Sequence, residues 1–177
     1  MSNVEYEYKK ILKKEEYDIL LSKLNEIAEC FEFVQINYYY DNDKFLLFNT
    51  GNTVRVRQQL DKLSLQIKQN KHYSSNGQRR CDESSNTIQT LPKQITMNDN
   101  EFYYMGSLTT LRKNYYIDNN IISLDISYYL GEVDYELEIE SQQRVELPQF
   151  ITELVNFNSY SNGKYTRFVN KLKTMRQ

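Results

Sequence analysis

Four short stretches alternate so regularly between apolar and polar or ionisable residues that each reads as a strand with two unlike faces: VEYEYKK at 4–10, TVRVRQ at 53–58, LSLQIKQN at 63–70 and DYELEIE at 134–140. Residues two apart in a strand point to the same side. One side of these strands therefore carries Glu5, Glu7 and Lys9, then Arg55 and Arg57, then Ser64, Gln66, Lys68 and Asn70, and finally Asp134, Glu136, Glu138 and Glu140. The other side carries Tyr6 and Tyr8, Val54 and Val56, Leu65 and Ile67, Leu137 and Ile139. In LTTLRKN, Arg112 shares a face with Thr110 and Asn114. A sheet with one face in water explains any single strand of this kind. It does not explain why the charges are sorted by strand, acidic on the first and last and basic between.

The same period marks strands at 4–12, 33–40, 53–59, 63–70, 108–116, 121–129 and 133–139, with a further one at 79–84. Turn chemistry separates them at 42–43, 49–52, 60–62, 118–120 and 130–132. A helical period takes over at 14–31, where Tyr17, Leu20, Leu21, Leu24, Ile27 and Ala28 form an apolar stripe, and again after Pro148 and at about 164–173. Residues 91–105 show no clear period, 74–77 read as a loop, and Gly77, Gly106 and Gly131 read as turn residues. Eight strands with short connections predict an α+β chain built on an eight-stranded antiparallel β-barrel, a tunnel, with helices packed outside and a C-terminal helix near its mouth. With 177 residues, positions 1–177 are expected to form one domain.

The helices need an apolar sheet face to cover, so in a closed barrel the charged faces point inward. Burying Glu, Arg and Lys together is very unfavourable unless the interior also holds water, ions and a ligand. Carboxylates collect hard cations, and guanidinium and ammonium groups collect phosphate oxygens. Both signs in one cavity suggest a metal together with a polyanion.

Other classes of function find less support. A net charge of −2 provides no general basic field for nucleic acid or an anionic membrane. No apolar run reaches the roughly 18 residues of a membrane span, and the N-terminal residues lack a signal-peptide core, so a cytoplasmic setting is expected. Cys30 and Cys81 show neither metal-ligand nor redox spacing. His72, the one histidine, falls in a polar stretch and forms no arrangement with Ser and Asp.

The ordered set of motifs resembles a known family. EYEYK fits the ExExK signature of the CYTH domains, or triphosphate tunnel metalloenzymes, and the likeness continues through QINYYYD at 35–41, TVRVR, LSLQIK, GSLTTLR at 106–112, LDISYYLGEVDYELEIE at 124–140 and GKYTRF at 163–168. The family includes inorganic, thiamine and RNA triphosphatases and class IV adenylyl cyclases, and this chain looks most like its small bacterial branch. The resemblance implies metal-dependent hydrolysis of tripolyphosphate or a triphosphate ester, with Mg²⁺ or Mn²⁺ as cofactor and a small-molecule triphosphate or polyphosphate as ligand. Glu5, Glu7, Glu136 and Glu138 resemble the metal-site carboxylates, and these with Lys9 the catalytic set. Lys9, Arg55, Arg57, Lys68 and Arg112 resemble the phosphate clamp, while Lys164 and Arg167 match a basic pair on the C-terminal helix. Glu83 and Asp125 match further acidic positions, and Glu140 shares the inward parity, at the metal site or at the rim. A non-catalytic module binding polyphosphate or nucleotide is the alternative, followed by a cyclase.

Overall fold

The structure is a computed structural model that describes residues 3–73, 79–141, 147–155 and 161–176, with side chains described at all of these except 3–5, 70–73 and 79–81. Nine strands are described: β1 (Asn3–Leu12), β2 (Phe31–Asp41), β3 (Asn52–Gln59), β4 (Lys62–Tyr73), β5 (Arg79–Ile88), β6 (Gln94–Met97), β7 (Asn100–Ile117), β8 (Asn120–Tyr129) and β9 (Glu132–Ser141). The helices are α1 (Lys14–Ile27), α2 (Leu46–Asn49), α3 (Gln149–Leu154) and α4 (Lys164–Met175). All pairings are antiparallel and run β2-β3-β4-β5-β1-β9-β8-β7, and β7 pairs back with β2. Eight strands thus form a ring, and β6 extends from the first part of β7 as a hairpin arm.

Tight two-residue turns build the ring. Leu60, Asp118 and Leu130 take left-handed backbone at φ 55°, 53° and 48°, the twist that a two-residue hairpin needs. The apolar faces point outward as expected, and much of their surface is covered, although Val34, Tyr128 and Val133 stay about half exposed. Tyr8, Leu12, Leu124, Leu137 and Ile139 are buried in one cluster with Tyr17, Leu20 and Leu24 of α1, while Val54 and Val56 lie beneath Tyr40, Leu47 and Phe102. At one end, Tyr165, Phe168 and Val169 of α4 pack on the inward residues Tyr39, Leu108 and Tyr129. Asp41 ties this end together: it accepts backbone N–H bonds from Leu47 and Phe48, each at 3.0 Å, and the Tyr165 hydroxyl at 2.6 Å.

Two sequence expectations are corrected, and one open stretch is resolved. The helix expected over 14–31 ends at Ile27, because Phe31 instead opens β2, pairs with Asn114 and packs its ring edge-on to Tyr116 at 5.6 Å. Ladder hydrogen bonds with β7 outweigh the helical period there, and Ile27 is left 48% exposed. Residues 91–105 form β6 and the start of β7. Gly106 is not in a turn; it sits inside β7 at φ 145°, where the register with β2 shifts so that Tyr39 faces Gly106 and Tyr40 faces Tyr104. Met105 is the extra residue of a bulge. The loop expected at 74–77 lies outside the described residues. No helix among them is long and apolar enough to cross a membrane.

Candidate functional site

Strand parity brings the charged faces together inside the ring. A cavity of about 110 Å³ is lined by Glu7 and Lys9 of β1, Arg55 and Arg57 of β3, Lys68 of β4, Glu83 of β5, Arg112 of β7, and Glu138 and Glu140 of β9. Tyr39, Thr53 and the first turn of α4, from Gly163 to Thr166, complete the lining. Glu136 and Asp125 are fully buried behind this wall, and Arg167 lies further along α4. The side chain of Glu5 lies outside the described ones; its backbone stands opposite Cys81 on β5.

One wall, made by β1, β7, β8 and β9 with the start of α4, is a lattice of ion pairs. Arg112 donates Nε and Nη2 to the two carboxylate oxygens of Asp125 at 2.8 and 2.7 Å, and also bonds Glu138. The Lys164 ammonium stands 2.8 Å from Asp125, bonds Glu136 and lies 3.6 Å from Glu138. Arg167 donates to Asp134 at 2.7 Å and to Glu136 at 2.6 Å. Lys9 bonds Glu138 and stands 3.0 Å from Glu7, with Lys68 approaching Glu7 at 3.4 Å and Glu83 at 3.9 Å.

The electrostatics follow from this pairing. Burial alone would raise the carboxyl pKa of Glu138, but Lys164, Lys9 and Arg112 outweigh it and hold the group well below its ordinary value. Asp125 is lowered in the same way against its burial by Arg112 and Lys164. Burial would lower Arg112, Lys164 and Arg167, yet the surrounding carboxylates raise all three. Glu140 goes the other way: burial and then the neighbouring Glu138 charge push its carboxyl up.

The opposite wall is different. Burial pushes the Arg57 guanidinium down to about 10, and the like charges of Arg55 and Arg112 add to the shift. Among the described residues no carboxylate lies within ion-pair distance of Arg57, and Arg55 reaches only Glu83, at 3.6 Å. The cavity thus has a compensated wall and a wall with surplus positive charge.

Two carboxylate triads could hold a cation, Glu7–Glu138–Glu140 and Asp125–Glu136–Glu138, each with ligand oxygens within 4.8 Å of one another. An all-oxygen, anionic donor set suits a hard divalent ion. The first triad lines the cavity, while the second already surrounds the Lys164 ammonium. Of the expected residues, Glu7, Lys9, Arg55, Arg57, Lys68, Arg112, Glu138 and Lys164 therefore meet at one cavity, with Glu83 and Glu140 beside them. Glu136, Asp125 and Arg167 form the layer beneath. Asn37, Gln66, Tyr39 and Thr166 also reach the cavity or its arginines, and none of them stands out in the sequence. The inward parity of Asn37 and Tyr39 is legible in QINYYYD, but an amide or phenol among tyrosines carries no charge signal.

Comparison with known proteins agrees with this architecture. The Bacillus subtilis protein named "Putative triphosphatase YjbK" is 28% identical over 148 residues, spanning 78% of this chain and 77% of its own. Two solved structures share the fold at TM-scores of 0.73. One, a Bacillus halodurans protein described as a putative adenylate cyclase, is 22% identical and aligns over 94% of this chain and 98% of its own. The other, a Hippeastrum protein, is 17% identical with 96% of each chain aligned; it is described as a putative adenylyl cyclase with a dominant triphosphatase activity. The CYTH domain model matches residues 3–171, and the chain belongs to the CYTH domain family.

Proposed function

We propose that this chain is one domain, over residues 1–177, that hydrolyses a triphosphate in the barrel cavity with a bound Mg²⁺ or Mn²⁺, and that it does so in the cytoplasm. The observation that carries the reading is the surplus charge at Arg57. A half-buried guanidinium in the cavity wall, with no carboxylate within ion-pair distance among the described residues and with Arg55 and Arg112 adding like charge, is unfavourable until an anion joins it. A triphosphate supplies several anionic oxygens to a cavity also lined by Arg55, Lys68, Arg112, Lys9 and Lys164.

Cleaving a phosphoanhydride requires charge neutralised on the non-bridging oxygens and a water held in line. In the proposed arrangement Arg55, Arg57, Lys68 and Arg112 neutralise and orient the phosphoryl groups, and Glu7, Glu138 and Glu140 would hold the cation, with Glu5 two residues before Glu7 on β1. The cation would supply Lewis-acid neutralisation of phosphate oxygens. Asp125, Glu136 and Arg167 keep Lys164 and Arg112 in place.

The test is phosphate release from tripolyphosphate, thiamine triphosphate and ATP with each metal, alongside binding of the same compounds. Metal-dependent release that falls by orders of magnitude in Glu138→Gln and Arg57→Gln is expected. Binding without turnover would make the protein a polyphosphate- or nucleotide-binding module. Cyclic AMP formed from ATP in place of free phosphate would make it a cyclase.

A further inference from the structure

The three cavity guanidiniums are held in two ways. Arg112 is clasped by the carboxylates of Asp125 and Glu138. Arg57 and Arg55 are held by side-chain amides. Arg57 Nε donates to Oδ1 of Asn37 at 3.0 Å, and Arg55 Nε donates to Oε1 of Gln66 at 2.7 Å. The register makes these contacts: Asn37 stands directly opposite Arg57 on β2, and Gln66 directly opposite Arg55 on β4. Each arginine of β3 thus has an amide partner on the strand beside it, one on either flank.

An amide oxygen and a carboxylate oxygen accept the same Nε–H bond, but they differ in what they leave behind. Both fix the plane of the guanidinium and leave its Nη edge available. Only the carboxylate also cancels the charge. Asn37 is fully buried, and its Nδ2 has no hydrogen-bond partner among the described residues. Aspartate at this position would keep the acceptor and exchange the orphaned NH₂ for an ion pair with Arg57, which offsets the desolvation of the new carboxylate, so the amide gains nothing from its own unpartnered donor. What the amide preserves is net positive charge facing the cavity.

We infer that Asn37 and Gln66 are positioning residues that aim Arg57 and Arg55 at a phosphoryl group without adding a carboxylate to either, so that the charge of Arg57 stays un-neutralised and that of Arg55 meets only Glu83, at 3.6 Å. This rests on the proposal that the cavity binds a polyanion, and it adds how the anion grip is kept both oriented and strong. The depressed pKa of Arg57 agrees with it.

The test is calorimetric titration of the metal-free protein with tripolyphosphate, with pyrophosphate and sulfate as simpler oxyanion probes. Asn37→Asp keeps the acceptor and is expected to melt at or above the wild-type temperature. It should nevertheless bind tripolyphosphate at least about tenfold more weakly, because a hydrogen-bonded charge now competes with the ligand. Asn37→Ala also weakens binding, through lost orientation, but adds no further loss once Arg57 is replaced by Gln, since Asn37 acts through Arg57. Equal affinity of Asn37→Asp and wild type, or an undiminished effect of Asn37→Ala in the Arg57→Gln background, overturns the inference. If Asn37→Asp does not fold, Gln66→Glu makes the comparison at Arg55, where a smaller loss of affinity in the same direction is expected because Glu83 already stands 3.6 Å away. Wild type that binds sulfate and pyrophosphate but not tripolyphosphate refutes the substrate reading alone, and wild type that binds no oxyanion refutes both.

Discussion

Replacing Gly106 by alanine should loosen the C-terminal helix from the barrel. Gly106 has φ 145°, a backbone region that side chains with a Cβ rarely enter. A Cβ built there would stand 2.7 Å from Cζ of Phe168 and 3.3 Å from its Cε2. The ring has little room to retreat: it is fully buried and packed against Tyr39 and Tyr129, with centroids at 5.1 and 6.4 Å. Overpacking of this kind costs about 1–3 kcal/mol. Holding a residue in a sparsely populated backbone region adds about 1–3 kcal/mol. Partial relaxation of the bulge offsets some of the sum, and we expect a loss of about 3 kcal/mol in urea unfolding with an unchanged denaturant slope. Phe168 lies one turn after Lys164 on the same face of α4. Displacing the ring therefore withdraws the ammonium from Asp125, and phosphate release should fall at urea concentrations where the protein is still folded. A destabilisation under about 0.5 kcal/mol, the range of an ordinary surface change, would refute the close-packing reasoning.

Other expectations follow from the ion-pair wall. Lys164→Met strips the ammonium from Asp125 and Glu136, which are fully buried, and should destabilise by about 3–5 kcal/mol. Mn²⁺ should restore part of that loss in a thermal shift measurement, by supplying a substitute cation. Glu140 has a raised pKa in the folded state, so its contribution favours folding at low pH and is lost as pH rises through the raised value. Glu140→Gln should accordingly raise the melting temperature of the metal-free protein at pH 7 and have little effect near pH 4; no gain at pH 7 would show that Glu140 is not electrostatically strained. Asp125 and Glu138 are lowered, so their stabilisation is present above the ordinary carboxylate range and lost as pH falls through their lowered values. The melting temperature should therefore fall steeply below about pH 4, and less steeply in Glu138→Gln.

Parity carried most of the site. In TVRVRQ and DYELEIE a period of two is enough to place Arg55 with Arg57 and Glu136 with Glu138 on one face, and the apolar residues between them say which face is covered. Where alternation fails, so does the reading. Residues 91–105 lack it, and no periodic signal marks the arm they form. The helical period at 14–31 runs past the end of α1 because Phe31 suits both periods and only pairing with Asn114 decides between them. Pairings between distant strands are also invisible locally. Nothing near Lys164 indicates that its ammonium meets Asp125 and Glu136, since that depends on Phe168 docking against Gly106. Asn37 is a polar residue among tyrosines until β3 places Arg57 opposite it.

Ring closure also has a kinetic consequence. β1 must pair with β5 on one side and with β9 on the other, and the Lys9–Glu138 contact joins residues 129 apart in sequence. Contacts of such separation form late, because the loop entropy is lost before they stabilise the chain. The carboxylates of β1 and β9 converge only when this seam zips. A stopped-flow refolding experiment should thus show the capacity to bind Mn²⁺ appearing in the slowest phase, after most of the strand signal has formed, so that gain of the metal site clocks the final step of folding.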